Sequence, residues 1–249
     1  MDTALPLMNK KKGLIMGVAN ERSIAWSIAK TAHEHGAELA FTYQGDALLK
    51  RVAPLADSIG SKILLPCDVN KDASIDNVFS ELSEAWGTID FVVHAIAYSD
   101  RDELKGKYVD TSKDNFSQTM LISCYSFTAV CNRAQKLMTN GGSLITLTYA
   151  GSERVMPHYN VMGVAKAALE RSVSYLAADL GSAGIRVNAI CPGFITGRWQ
   201  EAGMGGTDKY QVRVAQVEET TPLRRANTPE DIAETILWFV DGARWVTGE

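Results

Sequence analysis

The stretch KGLIMGVANERSIAWSIAKTAHEHG, residues 12–36, decides the fold of this chain. It begins with a short apolar run that closes at Gly17, and it continues into a segment whose apolar residues recur at helical spacing as far as Gly36. The pattern predicts a β-strand, a tight turn and an α-helix. Such a unit is typical of sheets in which strands and helices alternate.

The same alternation continues along the chain. Helical segments separate the further predicted strands, which are AELAFTY, KILLPCDV, IDFVVHAIA, GGSLITLTY and GIRVNAI. A long helix is predicted over about residues 113–138 and another over 159–180. This order implies right-handed crossovers and a parallel sheet with helices on both faces. We therefore predict an α/β fold: one Rossmann-like, doubly wound domain over residues 1–249.

The sequence stops at VTGE, residues 246–249, where a sheet of this type would normally add one more strand. We expect this C-terminal edge strand to be missing. Either the fold lacks it or the chain has been cut before it.

Composition narrows the function classes. With 249 residues and 46% hydrophobic content, the chain can bury one large core, and its net charge of -4 disfavours nucleic acid and anionic lipid as partners. No apolar run is long enough to cross a membrane, and the N-terminus lacks the apolar core of a signal peptide. Four scattered cysteines and four histidines form no metal-ligand spacing, so we expect reduced thiols, no metal site and a cytoplasmic location.

The first strand–helix turn is a candidate nucleotide site. Its sequence GVANERSIA lacks the GxGxxG fingerprint of dinucleotide-binding turns. Gly17 still permits a tight turn and close approach of a ligand, and Ser23 is placed to cap a helix whose free amides would face a pyrophosphate. An ordinary turn with a serine cap would have the same sequence.

Residues at the ends of other strands extend this site. Asp68 closes the third strand with a carboxylate suited to an adenine amino group, and the small residues Ala95 and Ala97 would let a flat cofactor lie against the backbone. After the second strand come Gln44 and Asp46, with no arginine before residue 51, which favours NAD(H) over NADP(H).

The segment TYAGSERVMPHYNVMGVAKAALE, residues 148–170, carries the candidate catalytic groups. Lys166 follows Tyr159 by seven positions, whereas the commoner tyrosine–lysine site has its lysine four positions on, where this chain has Gly163. On a helix, seven positions span about 10.5 Å, so a cofactor ribose could bridge the two side chains.

With these motifs the chain resembles NADH-dependent bacterial enoyl-acyl-carrier-protein reductases, a divergent branch of the short-chain dehydrogenase/reductase superfamily. The resemblance covers residues 13–188 and rests on GLIMGVANERSIAW, ELAFTYQGDAL, LPCDV, DFVVHAIAYSD, LKGKYVDTS, ISCYSFTAV, GGSLITLTY and ERVMPHYNVMGVAKAALE. Its most specific element is the spacing of Tyr149, Tyr159 and Lys166.

The resemblance implies roles for these residues. Tyr159 would hydrogen-bond the thioester carbonyl and stabilise the enolate, Lys166 would hold the nicotinamide ribose, and Tyr149 would line the substrate pocket and take part in proton delivery. It also implies an enoyl thioester on acyl carrier protein as substrate, NADH as cofactor, a role in fatty acid biosynthesis and a homotetramer. The cofactor-binding positions would be Gly17, Ser23, Ile24, Gln44, Asp68, Val69, Ala95, Ile96, Ala97, Lys166 and Ile195.

The chain departs from the family at two places. Ala97 stands where the family usually has glycine, which predicts a slightly narrower nicotinamide pocket. From Cys191 onward, the run CPGFITG replaces the serine-alanine-glycine-proline segment and resembles the classical branch of the superfamily. The predicted substrate-lid segment, about residues 192–218, therefore differs in origin from the catalytic helix.

Two alternatives remain open at this point. A classical ketoreductase or alcohol dehydrogenase would bind the carbonyl through a serine or threonine, and Thr146 lies at a suitable interval before Tyr159. The other is a catalytically weak nucleotide-binding member of the superfamily, since a fold alone is weak evidence for activity.

Overall fold

The computed structural model describes residues 7–196 and 207–249. Its strands form one parallel sheet in the order β3-β2-β1-β4-β5-β6. The six strands are β1 Lys12–Met16, β2 Glu38–Tyr43, β3 Ile63–Pro66, β4 Phe91–His94, β5 Gly142–Leu147 and β6 Ile185–Ile190. Each was predicted from its short apolar run, so the predicted α/β class is confirmed.

Helices separate and cover the strands. They are α1 Ile24–Glu34, α2 Gly45–Ser58, α3 Asp72–Trp86, α4 Lys113–Met120, α5 Ser126–Ala134, α6 Val161–Leu180, α7 Thr207–Thr220 and α8 Pro229–Leu237. A π-helical turn, Leu121–Tyr125, joins α4 to α5, so the long predicted helix exists but ends at Ala134. The helix predicted around residues 159–180 is present as α6, which begins two residues later, at Val161.

Two apolar cores lie on the two faces of the sheet. Side chains of successive strand residues point to opposite faces, so Leu14 of β1 joins one core while Ile15 joins the other. The first core contains residues of α3, α5 and α6, and the second contains residues of α1, α2 and α8. Helices on both faces confirm the doubly wound arrangement.

The last residues lie beside β6. The Gly248 amide donates to the Val187 carbonyl at 2.8 Å, and the Ala189 amide donates to the Glu249 carbonyl at 2.6 Å. These bonds are where an edge strand would pair with β6. The absence of that strand stays a prediction.

The strand order reverses between β1 and β4, and Gly17 lies at this point. Its φ is 100°, and a Cβ built on it would come within 2.1 Å of the Ala95 carbonyl oxygen, just beyond β4. Only glycine combines this backbone conformation with so close an approach. In open parallel sheets the crevice at such a reversal binds ligands.

We expect Gly17→Ala to destabilise the protein by about 3 kcal/mol, since a left-handed alanine costs about 1–2 kcal/mol and the overlap with Ala95 adds a similar amount. Equilibrium urea denaturation would measure the loss. The matched control is Gly60→Ala just after α2, where φ is 69° but nothing lies within 4 Å of the added methyl group. This control should lose only about 1 kcal/mol. Equal losses in the two variants would show that the contact with Ala95 is unimportant.

Candidate active site

Two adjoining cavities lie at the carboxyl ends of the strands. One extends over the ends of β2 and β3, the other lies over the start of α1, and Gly17 and Ala95 line both. Nine of the eleven predicted cofactor positions line one or both cavities: Gly17, Ser23, Ile24, Gln44, Val69, Ala95, Ile96, Ala97 and Ile195. Because small residues form the junction, the two cavities fit an extended dinucleotide lying across the strand reversal.

Ser23 stands at the N-cap position of α1, but its side chain does not cap the helix. Its hydroxyl accepts hydrogen bonds from the backbone amides of Ala19 and Asn20, at 3.0 and 3.1 Å. The prediction of a serine cap is therefore wrong, because the preceding turn folds back onto the hydroxyl. The first turn of α1 consequently has no capping hydrogen bond from this side chain, and helix ends of this kind bind phosphate groups.

Asp68 lies beside the first cavity and is linked to Gln44. One carboxylate oxygen accepts from Gln44 Nε2 at 3.2 Å and from both the backbone and side-chain nitrogens of Asn70 at 3.1 Å. Burial alone would raise the pKa of Asp68, but the hydrogen bonds from Asn70 and the Lys71 ammonium outweigh it and hold the pKa below its ordinary value. The carboxylate is thus ionised and can accept a hydrogen bond from a ligand amino group.

The two candidate tyrosines form a pair. The rings of Tyr149 and Tyr159 meet edge to face, with centroids 4.9 Å apart. Burial, with smaller contributions from Tyr149 and Cys191, raises the pKa of the Tyr159 hydroxyl well above its usual range. At neutral pH this hydroxyl is therefore a neutral hydrogen-bond donor.

Glycines hold this tyrosine segment close to α6. A Cβ on Gly151 would come within 2.4 Å of the Tyr159 ring, and a Cβ on Gly163 would come within 2.6 Å of the Gly151 carbonyl oxygen. A lysine four positions after Tyr159 would therefore disrupt the packing of α6 on the segment. Position 163 is glycine because any side chain there would collide with the Gly151 carbonyl.

Lys166 lies one turn further along α6 and is 5% exposed. Its ammonium donates to the Leu147 carbonyl at 2.7 Å. Burial lowers the pKa of Lys166 to about 8, and the nearby Cys124 and Glu170 partly oppose this shift. Leu147 lines the second cavity and Lys166 lines neither of the two, so the ammonium is bonded to a residue of the cavity wall.

Glu170 also belongs to the tyrosine–lysine site, although the sequence analysis did not predict it. Its carboxylate accepts from the hydroxyls of Thr148 and Ser152, at 2.5 and 2.6 Å, and these two residues bracket Tyr149. Its position four residues after Lys166 was the available signal, because residues at that spacing lie on one helix face. Glu170 thus ties the tyrosine segment to α6.

A buried polar cluster lies near Lys166. His94 contacts Ser126 Oγ at 2.8 Å through Nε2 and Thr146 Oγ1 at 3.3 Å through Nδ1, and the Thr146 hydroxyl donates to the His94 carbonyl at 3.1 Å. Burial, reinforced by the charge of Lys166, lowers the pKa of His94 to about 3, so the imidazole is neutral. Ser126 and Thr146 thus both hydrogen-bond to the His94 ring inside the protein.

The structure also bears on the predicted thiols, metal ligands, membrane-spanning helices and lid segment. Cys67, Cys124 and Cys131 are buried free thiols as expected, whereas Cys191 is exposed. Among the described residues there is no group of His, Cys, Asp and Glu side chains that could hold a metal ion. No described helix combines the length and apolarity needed to cross a lipid bilayer.

Of the predicted lid segment 192–218, residues 197–206 lie outside the described residues, and residues from 207 onward belong to α7.

Comparison with known proteins places this geometry in a family. The model of the family described as enoyl-(acyl carrier protein) reductase matches residues 17–249. A protein of Rhizobium meliloti named enoyl-[acyl-carrier-protein] reductase [NADH] 2 is 58% identical over 98% of this chain and 90% of its own length.

Solved structures agree with this. The Anaplasma phagocytophilum enoyl-(acyl-carrier-protein) reductase, crystallised with NAD, is 51% identical and superposes with a TM-score of 0.89 over 98% of this chain and 90% of its own. The Bacillus cereus enoyl-acyl carrier protein reductase, solved with NADP+ and an indole naphthyridinone, is 48% identical with a TM-score of 0.90 over 98% and 94% of the two chains. This chain belongs to the enoyl-acyl carrier protein reductase family.

Proposed function

We propose that this protein reduces the carbon–carbon double bond of trans-2-enoyl thioesters carried by acyl carrier protein, with NADH, in fatty acid biosynthesis. The observation that carries the proposal is the tyrosine pair held against α6, with glycine at 163 and lysine at 166. Relatives that share nearly the whole chain carry the name of this activity.

Tyr159 is the proposed donor to the thioester carbonyl. Its raised pKa keeps the phenol protonated, so it can hydrogen-bond the carbonyl oxygen and stabilise negative charge as the enolate develops. Tyr149, whose ring packs against it, would line the acyl pocket and orient this hydroxyl. A fixed donor contributes because it does not have to reorganise as charge appears.

The proposed cofactor site consists of the two cavities and Lys166, which bonds to the cavity residue Leu147. When bound there, NADH supplies the hydride. Gln44 and Asp68 would hold the adenosine end, and the α1 N-terminus would hold the phosphates. The bond to the Leu147 carbonyl uses one of the three N–H groups of Lys166, so its ammonium would donate another to the nicotinamide ribose and add positive potential. The remaining predicted contacts are Gly17, Ser23, Ile24, Val69, Ala95, Ile96, Ala97 and Ile195.

The ketoreductase alternative has a specific observation against it. Thr146, the residue that would bind a ketone oxygen, is 1% exposed and donates its hydroxyl to the His94 carbonyl. Its hydroxyl is therefore already used inside the sheet. The position that would carry the supporting lysine is Gly163, packed against Gly151.

We expect the protein to oxidise NADH with a short trans-2-enoyl thioester and to show at most weak turnover with the matching 3-ketoacyl thioester. Absorbance at the nicotinamide band would follow both reactions, with NADH and NADPH compared in parallel. Turnover of the ketone alone would contradict the proposal. Saturable NADH binding without turnover of either substrate would favour a nucleotide-binding protein.

The proposed residue roles predict two different kinetic losses. Tyr159→Phe should lower kcat by about 100-fold and change the Kd for NADH by less than about twofold, because it removes a hydrogen bond to the developing charge. Lys166→Ala should raise that Kd at least about tenfold, since it removes a charged donor to the ribose. Tyr175→Phe, which keeps its aromatic ring, and Lys136→Ala are the matched controls, because neither residue lines the two cavities. Normal turnover by both active-site variants would show that the assignment is wrong.

We also propose that four copies assemble into a homotetramer. Exposed apolar side chains lie on the layer formed by α4, the π-helical turn and α6, and a second set lies near the C-terminus at Trp238 and Trp245. A tetramer with two kinds of twofold contact needs two such surfaces. The first set comprises Phe116, Leu121, Tyr125, Val164 and Tyr175.

Light scattering coupled to size exclusion tests this assembly. The unchanged protein should have the mass of four chains, and Tyr175→Glu should lower it, because a carboxylate cannot be buried unpaired in an apolar contact. Lys30→Glu on α1, in the opposite helix layer, should leave the mass unchanged. A monomeric unchanged protein would rule the tetramer out.

The proposal also covers the number of domains and the cellular location. The C-terminal helix α8 packs against α1 and shares its core, which supports a single domain over residues 1–249. The buried thiols and the proposed pathway support a cytoplasmic location.

A further inference from the structure

The backbone around Tyr159 has an uncommon conformation. His158, just before it, has φ 61°, and Asn160, just after it, has φ 40° and ψ -123°. Side-chain-bearing residues rarely adopt positive φ, and such residues persist only where surrounding contacts hold them. The direction in which the Tyr159 ring leaves the chain therefore depends on those contacts.

The Asn160 side chain makes such contacts. Its Nδ2 lies within hydrogen-bond distance of three backbone carbonyl oxygens: Glu103 at 3.2 Å, Leu104 at 3.3 Å and Gly106 at 2.9 Å. Asn160 occupies the N-cap position of α6, but its side chain makes no capping bond there. The amide is used to bind the loop instead of the helix.

The loop that receives this amide is itself anchored. The Glu103 carboxylate accepts from the backbone amide of Ser112 at 2.9 Å and from its hydroxyl at 2.7 Å. The Ser112 hydroxyl in turn accepts from the Asn115 amide and caps α4. A continuous set of hydrogen bonds therefore runs from the start of α4 through residues 103–106 to the residue after Tyr159.

The same loop leads back to the cofactor cavity. It follows Ala97 and Tyr98, which line the first cavity, and the Tyr98 amide is fixed by a 2.9 Å hydrogen bond to Ser123 Oγ. Asn160 thus connects the wall of the cavity to the backbone that carries the Tyr159 hydroxyl. Gly151 lies close to the Tyr159 ring.

We propose that Asn160 is the positioning residue of Tyr159. Its amide holds the main chain at positive φ and ties it to residues 103–106, and the Tyr159 hydroxyl is thereby aimed at the substrate carbonyl. This inference rests on the proposed role of Tyr159 in enoyl reduction. In this assignment Asn160 acts on the reaction through the main chain of Tyr159.

Asn160→Gly tests the proposal, because glycine adopts the same backbone angles without the amide. We expect kcat with a trans-2-enoyl thioester to fall about tenfold or more, with the Kd for NADH within about twofold of the unchanged protein. If Asn160 acts through Tyr159, the additional loss in a Tyr159→Phe background should be less than about twofold. Asn140→Gly, an exposed turn residue before β5, should have no effect on kcat.

Asn160→Asp provides a second variant should the glycine protein fail to fold. It preserves size and backbone preference, but its carboxylate cannot donate to the three carbonyls. The same fall in kcat is expected. A normal kcat in either folded variant, or losses that simply multiply in the double variant, would overturn the positioning role. If the unchanged protein fails to reduce the enoyl thioester, the proposed function falls and this inference falls with it.

Discussion

The functional end of the sheet depends on the approach of Gly17 to the Ala95 carbonyl, between the ends of β1 and β4. These neighbouring strands lie where the strand order reverses, so the chain leaves them in opposite directions and a crevice opens. A Cβ at Gly17 would overlap the Ala95 carbonyl, and both residues line the two cavities. Glycine at this position therefore keeps the shared wall of the two cavities in place.

Apolar periodicity in the sequence was enough to predict all six strands and the helices on both faces. These features depend on residues near one another in the chain, which is why their signal is local. The start of α6 could not be predicted in this way. The positive φ of Asn160 accompanies hydrogen bonds to carbonyls 54 to 57 positions earlier, and no local pattern indicates them.

In the candidate site, too, some features could be predicted from the sequence and others depend on contacts between distant residues. Strand-end residues and family resemblance together predicted nine cofactor positions that the structure brings to the two adjoining cavities. It did not indicate that the Ser23 hydroxyl would bind the preceding turn, since serine at an N-cap more often bonds to the helix. Nor did it indicate Glu170, whose hydroxyl partners lie 22 and 18 positions earlier.

The spacing of the tyrosine and lysine follows from how α6 meets the segment 147–152. Gly163, Lys166 and Glu170 lie on one helix face because they are separated by three and four positions. The first packs against the Gly151 carbonyl, the second donates to Leu147, and the third accepts from Thr148 and Ser152. A lysine moved to position 163 would push the helix away from this segment and loosen the other two contacts. Glycine at 163 and lysine at 166 therefore go together, because the close approach at Gly163 lets α6 pack on this segment while the ammonium bonds to Leu147.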